Sequence, residues 1–229
     1  RSSTGQILQG VGIKECLKSV GKKIRWGKKE KEKDHGFGIA CMHKWQGIYS
    51  SSALVTLNED GTVFVSVGTV EIGQGAHTIF TQIVSEELGI PLKNIIIGLP
   101  DTDYTPFDWS TTASRSTFMM GNAVKQAARD AKKQLLALAA EQIEADLDDL
   151  EIGEGRVYVK GLPDHGIEIE RLTKLSILSS NGPILGKGSY IVPPKPIDPE
   201  TGQGWEVIWM YGAHAVEVKV DRDTGEVTV

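Results

Sequence analysis

An apolar-alternating run from Thr62 to Val70 continues through Glu71-Ile72 into Gly73-Gln74-Gly75, and a helical pattern begins at once at Ala76. That helix carries Ile79, Phe80, Ile83, Val84 and Leu88 on one face, and Gly89 and Pro91 stop it. On the other side, the Ser52 to Leu57 segment reaches the same strand through Asn58-Glu59-Asp60-Gly61, a hairpin turn in which Gly61 supplies positive φ. A strand entered by a hairpin and left through a glycine turn into a helix needs a sheet with helices packed on it. The expected class is therefore α+β, with layered mixed sheets and packed helices.

The rest of the chain extends this pattern. Val11 to Val20 predicts a short helix, followed by a basic run from Lys22 to Asp34 with seven Lys or Arg among thirteen residues, read as a solvated linker. Gly36 to Trp45 predicts a strand. Asn94 to Leu99 predicts a short buried strand, and Pro100 to Thr112 a loop rich in Asp, Thr, Pro and Ser. One long helix is expected from Thr117 to Ala145, with Val124, Ala127, Ala128, Ala131, Leu135 and Leu138 facing the core. A hairpin from Leu150 to Val159, a helix from Arg171 to Leu178, and strands from Ile184 to Val192 and Ile208 to Val220 follow. The last strand, Glu226 to Val229, is expected to break off without a visible partner. On this reading the chain has an N-terminal helix and basic linker over 1–35, then part of a domain over 36–229 that is truncated at its C-terminus.

Composition narrows the function. Thirty Asp and Glu against 25 Lys and Arg give a formal charge of −5, which argues against a non-specific nucleic-acid surface. Cys16 and Cys41 are the two cysteines, so iron–sulfur or structural zinc ligation is not expected, and reduced thiols point to a cytoplasmic protein. No stretch approaches the roughly 20 apolar residues of a membrane span. The histidines 35, 43, 77, 165 and 214 form no metal-ligand spacing, and no P-loop or nucleophile elbow occurs.

Two segments carry chemistry. At Gly73-Gln74-Gly75 the glycines permit close backbone approach, the helix N-terminus favours an anion, and Gln74 can donate and accept together. A plain tight turn with a solvated Gln74 is the alternative. A dinucleotide fingerprint is disfavoured, because Thr78 stands where the third small residue belongs and no acid ends a second strand. The second segment, Thr111-Thr112-Ala113-Ser114-Arg115-Ser116-Thr117, places five hydroxyls and a guanidinium ahead of the long helix. A cap needs one hydroxyl; five also suit a phosphate cradle.

Together these segments resemble the molybdenum-cofactor-binding large subunits of the xanthine dehydrogenase and aldehyde oxidase family, the molybdenum hydroxylases. The resemblance lies in VFVSVGTVEIGQGAHT (Val63 to Thr78), in DTDYTPFDWSTTASRSTFMMGNAV (Asp101 to Val124), and in AHAVEVKVDRDTGEVTV (Ala213 to Val229), in that order. It covers most of the chain from Gly36 onward. It implies that Gly73, Gln74 and Gly75 contact a molybdopterin or molybdopterin cytosine dinucleotide, and that Ala113, Ser114, Arg115 and Ser116 line its pterin and phosphate side. Thr112 and Ala113 would lie near the metal-side pocket. Met42 to Trp45 falls where relatives wall the substrate channel, so His43 and Lys44 would favour a polar or anionic substrate.

The family's upstream glycine-rich cofactor loop and its downstream catalytic glutamate have no counterpart here, so no catalytic residue is assigned. The resemblance implies hydroxylation of an N-heterocycle or aldehyde with water as the oxygen source. It also implies partner segments or subunits bearing [2Fe–2S] clusters and FAD. The alternatives are a non-catalytic pterin-binding or assembly subunit, and a degenerate interaction domain.

Overall fold

The computed structural model describes residues 8, 10–28, 33–47, 49–179, 182–192, 200 and 209–229. Its regular elements in chain order are α1 (Ile13–Lys23), β1 (His35–Trp45), β2 (Ser51–Leu57), β3 (Val63–Val67), α2 (Ala76–Leu88), β4 (Ile95–Ile97), α3 (Gly121–Ile143), β5 (Leu150–Gly153), β6 (Arg156–Val159), β7 (Leu162–Glu168), α4 (Ile169–Leu178), β8 (Leu185–Tyr190), β9 (Trp209–Val220) and β10 (Val227–Thr228). This is the α+β architecture the sequence implies. The chain forms two compact units, one within Arg1–Gln46 and Pro194–Val229, the other Gly47–Pro193.

The first unit is a three-stranded antiparallel sheet in the order β1-β9-β10 with α1 packed on β9. The β1–β9 ladder holds register from His35 opposite Lys219 to Trp45 opposite Trp209. The last strand does have a partner, contrary to expectation: Val227 pairs with Val220. The turn between them is closed by Asp221, whose Oδ1 accepts from the amides of Asp223 and Thr224 at 2.9 and 3.0 Å. The basic run does not begin as a linker, because α1 continues through Lys23 and turns follow to Lys28; residues 29–32 lie outside the described residues. Lys22 and Lys23 stand in the last turn of α1, where cations offset the negative end of the helix dipole.

The second unit holds the chemistry-bearing segments. Its main sheet has the order β4-β3-β2-β8. Strict alternation on β2 and β3 buries Ala53, Val55, Leu57, Val63, Val65 and Val67 on one face, where α2 and α3 cover them. β3 and β4 are parallel, joined through α2 as a β–α–β unit, so the Gly73-Gln74-Gly75 turn leaves the carboxyl end of a sheet strand. The α2 boundaries match expectation to the residue, because Gly75 (φ +78) and Gly89 (φ +61) take left-handed conformations at its two ends. Packing of β8 on α3 depends on small residues on both sides. A Cβ at Gly188 would lie 2.0 Å from the Ala123 carbonyl, and one at Gly186 would lie 2.1 Å from that of Ala127.

Other differences are local. The strand expected to reach Val70 ends at Val67, and the one expected over Asn94 to Leu99 is confined to Ile95–Ile97. The long helix opens with a π-helical turn, Ser116–Met120, before α3, and stops at Ile143 because Glu144 adopts a left-handed conformation (φ +55). The hairpin of β5 and β6 gains a third strand, β7, which leads directly into α4. Leu162-Pro163-Asp164-His165-Gly166 lacks the alternation that announces a strand, so β7 was not legible.

Candidate functional site

The path from β3 into α2 passes through Gly68, Thr69 and Val70, and each is tied to the loop that precedes α3. Thr69 Oγ1 donates to Asp108 Oδ2 at 2.6 Å. The Val70 amide donates to Thr111 Oγ1 at 3.0 Å, and that hydroxyl donates to the Val70 carbonyl at 2.8 Å. Gly68 is required for close approach, since a Cβ there would lie 2.8 Å from the Pro106 carbonyl oxygen. Two motifs some forty residues apart in sequence are thereby laid side by side at the carboxyl end of β3. In open α/β sheets this is where ligands bind.

Within the first turn, every contact is local. Glu71 Oε1 accepts from the amides of Gly73 and Gly75, both at 2.9 Å, and Oε2 accepts from that of His77 at 3.1 Å. These amides hold the Glu71 carboxyl below the usual glutamate range, the Gly75 and His77 contacts foremost. Gln74 folds back over the same turn: Oε1 accepts from the Ile72 amide at 2.7 Å and Nε2 donates to the Val70 carbonyl at 3.1 Å. One lone pair on Oε1 and one N–H on Nε2 remain beyond these bonds. Gly73 and Gln74 are exposed, and a Cβ at Gly73 or Gly75 would meet no atom within 4 Å, so the turn faces open space. His77 Nε2 lies 3.1 Å from the Thr69 carbonyl, which closes the turn at its base.

The second turn is built on Arg115. Its side chain is fully buried and pairs at 2.5 Å with Asp108, itself 1% exposed. Nη1 also donates to the Ser110 carbonyl at 2.9 Å. Nη2 donates to the carbonyls of Tyr49 and Ser50 at 2.7 and 3.0 Å, and to Ser51 Oγ at 2.7 Å. Ser51 Oγ in turn donates to Asp108 Oδ1 at 2.7 Å. Both terminal nitrogens of the guanidinium thus face protein acceptors. What the turn presents outward is Thr112 and Ser114, both exposed, with Ala113 half-buried between them; Ser116 is buried and opens the π turn. Ala113 and Ser114 both have left-handed backbones (φ +48 and +54), conformations that cost L-residues energy and cluster at functional sites. A hydrogen bond from the Gly47 amide to the Ala113 carbonyl at 3.1 Å helps hold them there.

His43 and Lys44 lie on β1, in the other unit. Both are exposed, and the His43 ring packs against Trp209 at a tilt of 54°, with centroids 4.8 Å apart. Among the described residues, no three His, Cys, Asp or Glu side chains are grouped so as to hold a metal ion, and no helix is long and apolar enough to cross a membrane. Sequence reading missed Glu71, Thr69 and Asp108. The available signal was an acid placed two residues before a glycine turn, and a second acid placed seven residues before the one arginine of a hydroxyl-rich loop.

Fold and site together define an α+β domain with two exposed polar turns joined at the end of a β–α–β unit. The chain belongs to the molybdopterin cofactor-binding domain family, whose model matches residues 15–229. It is 33% identical over 174 residues to the xanthine dehydrogenase molybdenum-binding subunit of Escherichia coli O157:H7, an alignment covering 70% of this chain and 23% of that protein. It is 33% identical over 180 residues to the carbon monoxide dehydrogenase large chain of Afipia carboxidovorans, covering 76% of this chain and 20% of the other. Among solved structures, the aldehyde oxidoreductase from Desulfovibrio gigas superposes with a TM-score of 0.73 at 25% identity, over 99% of this chain and 23% of that one. The chain therefore spans less than a quarter of the length of these relatives.

Proposed function

We propose that this chain is a segment of the large subunit of a molybdenum hydroxylase and forms part of the wall that holds molybdopterin or its cytosine dinucleotide. The observation that carries this reading is the double hydrogen bond between Thr111 and Val70, which joins two exposed polar turns into one surface. The residues fit such a group: open space over Gly73 and Gly75 admits a flat ring, and exposed hydroxyls at Thr112 and Ser114 suit phosphate oxygens. When bound, the cofactor supplies the redox chemistry that hydroxylates an N-heterocycle or an aldehyde.

The residues of this chain bind and orient. Gly73 and Gly75 keep side chains out of the ring's way. Gln74 offers its remaining N–H and lone pair to a polar edge. Thr112, Ala113, Ser114 and Ser116 form the second contact. Arg115 acts through the shape it gives this turn, since its terminal nitrogens are engaged by protein acceptors. The same reading gives the whole enzyme a preference for polar or anionic substrates through His43 and Lys44, on the resemblance alone. Completion of the site by other large-subunit segments, with electrons leaving through [2Fe–2S] and FAD-bearing partners in the cytoplasm, belongs to the same reading. The share of the relatives' length that this chain spans supports it.

Molybdenum and pterin content of the protein purified from a host that makes the cofactor tests the proposal. Stoichiometric molybdenum, reduced by Gln74→Ala, is the expected result. Protein with neither molybdenum nor pterin would favour an interaction domain.

A further inference from the structure

The amides of Gly73, Gly75 and His77 gather at the N-terminus of α2, the usual place for a phosphate. They are not available to one. The Glu71 carboxylate accepts from all three, with both oxygens engaged. The side chain comes from the segment that links β3 to α2, two residues before Gly73, so the anion is built into the chain. A further amide, that of Ile72, is held by Gln74 Oε1.

We propose that Glu71 is the positioning residue of this turn: its carboxylate stands in for an external anion, closes the helix N-terminus to phosphate, and leaves the turn to recognise a neutral hydrogen-bonding edge through Gln74. This rests on the cofactor-binding reading and divides its labour. An oxyanion approaching the Gly73–Gly75 turn meets a negative charge already seated on the donors it needs. His77 also bonds to that carboxylate through its backbone amide, so the helix's first turn and the carboxylate are held together. A neutral heterocycle edge, carrying a donor beside an acceptor, meets instead the free N–H and lone pair of Gln74. Phosphate then falls to the second turn, where Thr112 and Ser114 face outward over a left-handed backbone. Left-handed backbone and hydroxyls are concentrated there.

Inorganic phosphate is the probe, added to the whole, cofactor-free protein labelled with ¹⁵N at glycine and histidine. In the unaltered protein the Gly73, Gly75 and His77 amide signals should not move at millimolar phosphate. In Glu71→Ala they should move, with phosphate bound about tenfold more tightly or better, as one to two charge-assisted hydrogen bonds predict. Glu71→Gln, which keeps an acceptor and the fold, should show an intermediate gain. Saturable shifts of these three amides in the unaltered protein would overturn the proposal by themselves, whether or not either variant folds. So would a folded Glu71→Ala protein that gains no phosphate binding. Neither result touches the cofactor reading, which stands or falls on molybdenum and pterin content.

Discussion

Thr111 Oγ1 both accepts from the Val70 amide and donates to the Val70 carbonyl, so one hydroxyl occupies two backbone groups of the β3–α2 connection forty-one residues away. Replacing Thr111 by the isosteric Val removes both bonds while keeping the shape. Val70 is 48% exposed, so water takes over its amide and carbonyl and the global cost stays near 1 kcal/mol. Cofactor retention should suffer more than stability, because the two turns lose their alignment. Denaturant midpoints and molybdenum content of Thr111→Val, measured on the same preparation, check this; a large loss of stability with full cofactor retention would contradict it.

The Asp108–Arg115 pair should behave in the opposite way. Both side chains are buried, and Asp108 also receives hydroxyls from Ser51 and Thr69. Arg115→Met strands a buried carboxylate and leaves the carbonyls of Tyr49, Ser50 and Ser110 without donors, a loss of about 3–5 kcal/mol. Arg115→Lys keeps the charge but cannot span five acceptors with one ammonium, and should recover only part of it. Urea unfolding of the two variants gives the comparison.

The contrast between these pairs explains what the sequence could reveal. Apolar spacing and glycine punctuation placed α2 between Gly75 and Gly89 without error, and set out the β2–β3 hairpin, because those signals are local. Arg115 was legible as part of a hydroxyl-rich turn, yet a charged residue in a loop reads as a ligand for something outside. Nothing near Arg115 in sequence says that Asp108 turns inward with it, since that depends on Ser51 of β2 and Thr69 of the segment after β3. Glu71 is similar: its three amide partners form only once the turn has closed. The π turn at Ser116–Met120 was hidden because its five residues continue the helical pattern with a change of period too small to see.

Gly186 and Gly188 carry a packing prediction. Alanine at either place sets a methyl about 2 Å from backbone oxygen of α3, and the backbone of a packed helix cannot yield as a side-chain tip does. Each substitution should cost at least about 1–3 kcal/mol, and their combination should detach β8 from α3. Gly38→Ala on β1, where a Cβ would meet nothing within 4 Å, is the matched control and should lie within about 1 kcal/mol of the parent. Thermal unfolding of the three single variants tests the ordering.

Glu71 titrates below its ordinary range because the Gly75, His77 and Gly73 amides bond to its ionised form. A carboxyl with a depressed pKa in the folded state adds stability that is fully present above the unfolded-state value of about 4.3 and disappears as pH falls through the lower folded value. Between those two pH values the unfolded chain binds the proton more readily than the folded one, so stability must fall with pH there. Glu71→Gln removes the ionisation and with it this part of the slope. The variant should therefore be the less stable protein at neutral pH, and the difference should shrink in acid below the folded-state pKa. Melting temperatures of both proteins across the acid range decide the matter: parallel curves would mean that the carboxylate is not the group that holds the turn.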